Sequence, residues 1–399
     1  MTNQLGFLAG APRISTDPNA EMSGPRSRVL GIIKGFEELG WTVKPFIVGD
    51  RVPKNWSAKG SSEAISRGFL RTLAVDIVRI GLGLTNTWKS WRELGDQTDW
   101  VYEYNATLQA LGWIFKRNNR VWIFQTEALL FYEAKVERKA LVLSQVAKWI
   151  ELWAYRRCDV LACISDTLKE ILITDFDIPA DKIVLVQNGV DIDFINPSIH
   201  QPKRVFEGFT IGFVGSLYSW CGLDILIQTL SELHQEGLPI SLVIVGDGAI
   251  EVDLKAMVNE LELSKQVSFE GRVPWQEVPQ YIAGIDIGYS GQVEIQNGKM
   301  YLSPMKLYEY MAMGKPVIAS AFEDAKRLVQ PGETGFLFQP SDKNDLKHSL
   351  KQAFSQKDSL PEMGRLARLE IEKNHSWKAR VEALIEGTHK VLQQGQLPS

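Results

Sequence analysis

Short apolar runs along the chain alternate with stretches in which apolar positions recur every three or four residues. In the first half, strands are predicted over residues 4–8, 41–48, 100–104, 120–124, 160–164 and 183–187. Helices are predicted over 27–39, closed by Gly40, over 66–80, and over 133–155. In the second of these, Phe69, Leu70, Leu73, Ala74, Ile77 and Val78 share one face. The second half repeats the alternation more cleanly. Strands are expected over 209–214, 240–245, 267–269, 285–289, 316–320 and 335–338, and helices over 223–235, 251–263, 305–313, 344–354 and 377–394. Near-continuous apolar strands separated by helices are the pattern of parallel sheets covered on both faces. The expected fold class is α/β, with two doubly wound, Rossmann-like domains. The break is placed near 193–205, where Asn196-Pro197-Ser198 and Gln201-Pro202-Lys203 interrupt the periodicity. The expected domains are 1–195 and 206–375, with a C-terminal helix within 376–399 packing back on the first. Ligands of open α/β sheets lie outside the carboxyl ends of the strands, so two facing sheets would put the active site in a central cleft.

Composition changes this picture little. The chain has 399 residues, 45% hydrophobic and 23% charged, which excludes a mostly disordered chain. A net charge of −4 offers nucleic acid no basic footprint. Three scattered cysteines form neither a disulfide framework nor a metal spacing, so a reducing compartment is expected. The first ten residues lack a basic n-region, and no run of about 18 apolar residues occurs. The expected location is cytoplasmic, extending to the inner face of the membrane.

Candidate chemistry concentrates in Ser303-Pro-Met-Lys-Leu-Tyr-Glu-Tyr-Met-Ala-Met-Gly314. A turn at Ser303-Pro304 opens a helix that brings Lys306 and Glu309 to neighbouring positions of one face. A helix N-terminus at a strand-end cleft suits an anion, and a lysine in its first turn opposes the dipole in a way that a bound phosphate relieves. Glu309 could accept hydrogen bonds from vicinal hydroxyls such as those of a ribose. The plainer alternative is an amphipathic helix with two solvated charges.

This segment resembles the donor-binding signature of the GT-B glycosyltransferases of family 4 (glycosyl transferases group 1), in the branch with a Ser-Pro-x-Lys-Leu-x-Glu-Tyr motif. Ile211-Gly-Phe-Val-Gly-Ser216 and the loop after it resemble the family's first donor-domain strand and loop. Val186-Gln-Asn-Gly-Val-Asp191 resembles its interdomain hinge, and the stretches at 243–248 and 267–273 match two further strand ends. The resemblance implies a retaining, metal-independent transferase that moves a sugar from a nucleotide sugar to a hydroxyl, in polysaccharide or glycolipid assembly. No resident cofactor is implied, since the nucleotide sugar is a co-substrate. The first domain would bind the acceptor, a sugar or a lipid-linked sugar, and the second the donor. The donor residues would be Gly215, Ser216, Arg272, Val273, Ser303, Lys306 and Glu309, with Lys306 also counted as catalytic. The family commonly has arginine and lysine where Ser216 and Cys221 stand here, and a glutamate where Tyr301 stands. Those departures keep two alternatives open: a catalytically impaired sugar-nucleotide-binding subunit, and a sugar-nucleotide epimerase of the same fold.

Other motifs carry less. Gly246-Asp-Gly248 lacks the third glycine of a dinucleotide fingerprint, Glu251 standing in its place. Asp175-Phe-Asp177 and Asp191-Ile-Asp193 adjoin turns, where aspartate caps backbone, so no metal site is assigned. All five histidines lie beyond residue 199, leaving the first domain without a histidine base. Its candidate polar groups are Arg26 and Glu103, for an acceptor or anion, and Glu127, a catalytic candidate at a position where the family often has a sugar-contacting polar residue. Each has a plainer reading as a solvated charge or a helix-start acid. Arg67, Arg71, Arg79, Lys89 and Arg92, with Trp88 and Trp91, flank the apolar face of the helix near 69–80. The favoured reading is a helix packed on its own sheet with its charges outside. The other is peripheral contact with an anionic membrane.

Overall fold

The apolar runs of the first half become six parallel strands. In a computed structural model of the chain, residues 3–52, 68–118, 120–136, 140–293 and 303–394 are described. The first unit contains, in order, β1 (Gln4–Ala9), α1 (Gly24–Glu38), β2 (Thr42–Ile47), α2 (Phe69–Leu94), β3 (Trp100–Tyr104), β4 (Val121–Thr126), α3 (Leu130–Val136), α4 (Ser144–Arg157), β5 (Val160–Cys163), α5 (Asp166–Thr174) and β6 (Ile183–Leu185). Its sheet runs β2-β1-β3-β4-β5-β6. The chain steps outward from β1 to β2, then returns to β1's other side, so the direction of winding switches between β1 and β3. α1 starts where sequence chemistry says it should: Ser23 caps it by accepting from the Arg26 amide, and Pro25 occupies the first turn.

The second unit contains β7 (Thr210–Val214), α6 (Leu223–Gln235), β8 (Ser241–Val245), α7 (Glu251–Glu260), β9 (Val267–Gly271), α8 (Val278–Gly284), β10 (Ile287–Ser290), α9 (Met305–Ala312), β11 (Val317–Ser320), α10 (Glu323–Leu328), β12 (Gly335–Phe338), α11 (Lys343–Ser355) and α12 (Leu360–Asn374). Its parallel sheet runs β12-β11-β10-β7-β8-β9, switching direction between β7 and β10. Both sheets are doubly wound, and the two-domain α/β fold expected from the alternation of strands and helices is present. α13 (Trp377–Gln394) returns to the first unit and packs along α1. Gly31 and Gly35 of α1 make the groove for it: a Cβ on Gly31 would fall 2.1 Å from the Trp377 ring, and one on Gly35 2.7 Å from the Trp377 carbonyl.

The units are Met1–Gln187 with Trp377–Ser399, and Asn188–Ser376. The segment 193–205, read from sequence as the break, therefore lies within the second unit. Val190 and Ile195 are buried with residues of α9 and α12. The Arg368 guanidinium of α12 clamps the segment, donating to the carbonyls of Ile192 at 3.0 Å and Ile195 at 2.6 Å. Pro197 and Pro202 interrupt secondary structure and are exposed, but the residues just before them are packed into the second unit. The helix predicted over 133–155 is two helices, α3 and α4. α2 runs to Leu94 rather than residue 80 and is turned the other way from the favoured expectation. Phe69, Leu70, Ile77 and Val78 are exposed, whereas Thr72, Asp76, Gly83, Asn86, Thr87 and Ser90 are buried. Most of the buried polar side is hydrogen-bonded, the Asn86 amide nitrogen being an exception. Asp76 accepts from the amides of Val142 and Leu143 at 2.8 and 3.0 Å and pairs with Arg79, while Thr87 and Ser90 donate to carbonyls of the helix itself.

Candidate functional site

In the second unit the candidate site forms where β7 ends beside the winding switch, the position at which open α/β sheets take ligands. The chain leaves β7 through Gly215, at φ +137°. A Cβ on Gly246, in the loop after β8, would fall 2.0 Å from the Gly215 carbonyl, so only glycine allows the two loops to close on each other. Backbone hydrogen bonds lace the three strand ends: the Gly215 amide to the Val245 carbonyl at 2.9 Å, and the Gly246 amide to that of Gly271 at 2.8 Å.

α9 delivers the charged pair. Its Tyr310 hydroxyl accepts from the Val214 amide at 2.8 Å, pinning the helix to the end of β7. The Lys306 ammonium lies 3.6 Å from the centre of the Phe213 ring. It also sits beside Gly215, 3.4 Å from where a Cβ would be. Burial lowers the Lys306 pKa, opposed by Cys221 and Glu309. Glu309 is 8% exposed, and among the described residues no donor is hydrogen-bonded to its carboxylate. Burial pushes its pKa up to about 7, with Lys306 opposing. A nearly buried carboxylate next to a lysine, without donors of its own, is chemically incomplete.

The remaining donor candidates take varied places. The Ser303 hydroxyl donates to Asp324 at 2.6 Å and its carbonyl accepts from the Asn188 side chain at 2.7 Å, so Ser303 shapes the turn into α9. Tyr308 also donates to Asp324, at 3.0 Å. Ser216 is exposed, and its carbonyl accepts from the buried Cys221 thiol at 3.5 Å. Val273 packs beside Val243, Val245 and Tyr281, and Arg272 is exposed after Gly271, at φ +66°. Tyr301, like Arg67 of the first unit, falls outside the described residues.

In the first unit, Glu127 stands just beyond β4. Its carboxylate is 3.1 Å from Nε of Arg28, whose side chain is fully buried, and it accepts from the Tyr104 hydroxyl at the end of β3. Arg28 also donates to the Val186 carbonyl at 2.6 Å. The other two candidates are corrected. Arg26 is buried with its guanidinium on loop carbonyls, Ser15 at 2.8 Å and Asp17 at 2.7 Å, so it braces its own loop rather than facing an anion. Glu103 is fully buried, accepting from the Leu111 and Gly112 amides at 2.6 and 2.8 Å and from the Trp122 indole at 3.0 Å. It is an internal anchor for the turn after β3. Arg28, Tyr104, Asn188 and Asp324 were not anticipated. Two of these left a signal: Arg28 shares the buried helical register of Ile32 and Gly35, and Asn188 stands in the hinge-like stretch 186–191. Asp191, of the second D-x-D pair, accepts from the amides of Asp193 and Phe194. No group of three or more metal-ligating side chains occurs among the described residues, and none of their helices is long and apolar enough to cross a membrane.

Two doubly wound units, the second with a glycine-lined strand-end loop next to a lysine and a buried carboxylate, define the architecture of enzymes with paired Rossmann-like domains. Residues 24–194 match the family described as Glycosyltransferase Family 4, and residues 208–356 match Glycosyl transferases group 1. An uncharacterized glycosyltransferase of Methanocaldococcus jannaschii is 24% identical over 272 residues, 67% of each chain. An amylovoran biosynthesis glycosyltransferase of Erwinia amylovora is 26% identical over 53% of this chain. The chain spans about half the length of that relative, 51%. Among solved structures, sucrose-phosphate synthase of Thermosynechococcus elongatus has a TM-score of 0.69 at 15% identity, covering 98% of this chain and 100% of that one. An Anabaena protein solved with UDP and glucose has a TM-score of 0.63 at 17% identity, covering 96% and 98%. At such identities the structural likeness speaks to fold. The chain belongs to the glycosyltransferases of the GT-B fold.

Proposed function

We propose that the protein moves a sugar from a nucleotide sugar to an acceptor hydroxyl, with retention and without a metal ion. The observation that carries this reading is the pair Lys306 and Glu309 at the end of β7, a cation beside a glycine loop and a buried carboxylate lacking donors. A diphosphate against the Ser216 amide and Lys306 would be stabilised as charge builds on the leaving group, the Gly215 amide being held by the Val245 carbonyl. A ribose diol would supply Glu309 with its missing donors, with Arg272 and Val273 bordering the base. Ser303 would act through the turn it holds. Glu127, fixed by Arg28 and Tyr104, would face the acceptor. The acceptor is a sugar or a lipid-linked sugar used in polysaccharide or glycolipid assembly at the inner membrane face. In support, relatives in Erwinia amylovora and Escherichia coli are described as amylovoran and colanic acid biosynthesis glycosyltransferases, and the Anabaena structures hold UDP and UDP-glucose.

The test is diphosphate release from a panel of nucleotide sugars, with and without acceptor. Release that needs acceptor supports transfer. Sugar interconversion alone would make the protein an epimerase, and binding without either reaction an impaired subunit, an outcome consistent with the Cys221 thiol turned to the Ser216 carbonyl. Lys306→Ala should lower kcat/KM roughly 10- to 150-fold, the value of one charged hydrogen bond, while leaving the melting temperature near wild type. Activity should persist in EDTA; loss restored by Mg²⁺ or Mn²⁺ would overturn the metal-free mechanism.

A further inference from the structure

α2 is an amphipathic helix with its apolar side outside. Leu70, Ala74, Ile77, Gly81, Leu84 and Trp88 fall on one stripe, and every one of them is exposed. Leu70 is 78% exposed and Leu84 66%. From residue 70 to 88 is 18 residues, a length of about 27 Å. A single exposed leucine needs no explanation, but an uninterrupted stripe of five turns does. The fold does not use this face, since the opposite, polar face is the one that docks. The stripe also has a charged border. Arg71 and Lys89 are exposed and 18 residues apart, hence five turns apart on the same edge. Arg92 lies over the Trp88 ring at 4.8 Å. Of the two acids on the helix, Asp76 is buried and paired with Arg79, and Glu93 is paired with Arg51. The exposed side is therefore apolar along its length and cationic along its edge.

We infer that the exposed face of α2 docks the protein on an anionic lipid surface, with the stripe entering the acyl boundary and Arg71, Lys89 and Arg92 meeting lipid phosphates. A protein partner would have to provide both a long apolar groove and acids along its rim. A second copy of this chain would offer the stripe's cations no acid from the same face. An anionic bilayer supplies both requirements at once. The inference deepens the membrane side of the reading above but does not need its chemistry. Vesicle binding and sugar transfer are measured separately, and either can fail alone.

The experiment is co-sedimentation of the full chain with vesicles of phosphatidylcholine alone or with added phosphatidylglycerol, at low and high salt. Wild type should pellet with the anionic vesicles at low salt, be released as salt rises, and ignore the neutral ones. A triple variant, Leu70→Ser, Ile77→Ser and Leu84→Ser, should melt near wild type because these side chains face solvent, and should bind at least roughly tenfold more weakly. Should the triple variant fail to fold, Arg71→Glu with Lys89→Glu alters charge alone and should bind weakly as well. Wild type remaining in the supernatant at low salt overturns the inference, as does unaltered binding by the folded variants. Concentration-dependent self-association that the triple variant abolishes, without vesicle binding, would assign the face to a second copy and overturn it too.

Discussion

Glu127 in the first unit and Glu309 in the second are both carboxylates held near strand ends, and their surroundings are opposite. Glu127 is 26% exposed at its side chain, paired with the buried Arg28 and hydrogen-bonded by Tyr104. Glu309 is nearly buried, next to Lys306 but without a donor among the described residues, and its pKa is raised to about 7. The first carboxylate is completed by its own fold. The second is completed only by something else. The protein thus holds one charge ready-made, while keeping the other at a cost that a ligand's hydroxyls would relieve.

Arg28→Met should produce the largest effect. Removing one partner of a buried ion pair costs about 3–5 kcal/mol, read as destabilisation of the first unit in urea. Adding Glu127→Gln to the same protein should recover much of it. A loss below about 1 kcal/mol would mean that the pair is effectively solvated, and the contrast with Glu309 would collapse.

Glu309→Gln should do the reverse and stabilise the second unit. A carboxyl whose folded pKa of about 7 exceeds its unfolded value binds protons more tightly when folded. Its favourable contribution is present at low pH and is lost as pH rises through 7, so the ionised form costs about 3 kcal/mol at pH 8. The glutamine should therefore raise the melting temperature at pH 8 and hardly change it at pH 5. If the carboxylate holds ribose, the same variant should weaken nucleoside diphosphate binding, and wild-type affinity should fall below pH 7 as Glu309 protonates. Equal calorimetric affinity of both proteins for the nucleotide at pH 8 would remove the ribose role. Tyr104→Phe should have the smallest effect, about 1 kcal/mol of stability, since Arg28 still neutralises Glu127. A larger loss would make the phenol rather than the guanidinium the main support.

The same contrast explains what the sequence made legible. The second unit could be read closely because its strands are buried on both faces and continuously apolar, and its helices are marked by pattern; α6 and α13 fall on their predicted limits. The pair Lys306 and Glu309 was visible for a local reason, helical spacing after a proline turn. Glu103 misled because a charge in a strand looks like a site, and nothing nearby announces the turn amides it takes. α2 misled for a related reason. Periodicity defines two faces of a helix, but which face docks depends on what meets it, and Asp76 finds its partners at Val142 and Leu143, 66 and 67 residues away. Local chemistry is written locally, whereas satisfaction by distant backbone is not.

The return of α13 to the first unit gives synthesis a fixed order. The second unit is an insertion between Gln187 and Trp377, so the ribosome makes all of it before the helix that fills the Gly31–Gly35 groove. Until then the first unit has an open groove on α1 where Trp377 will lie, and Arg28 lacks the indole ring it will face at 5.9 Å. The earlier-made unit is thus the last to be finished, and a nascent chain stalled before residue 377 would carry one complete domain and one that still needs its final helix.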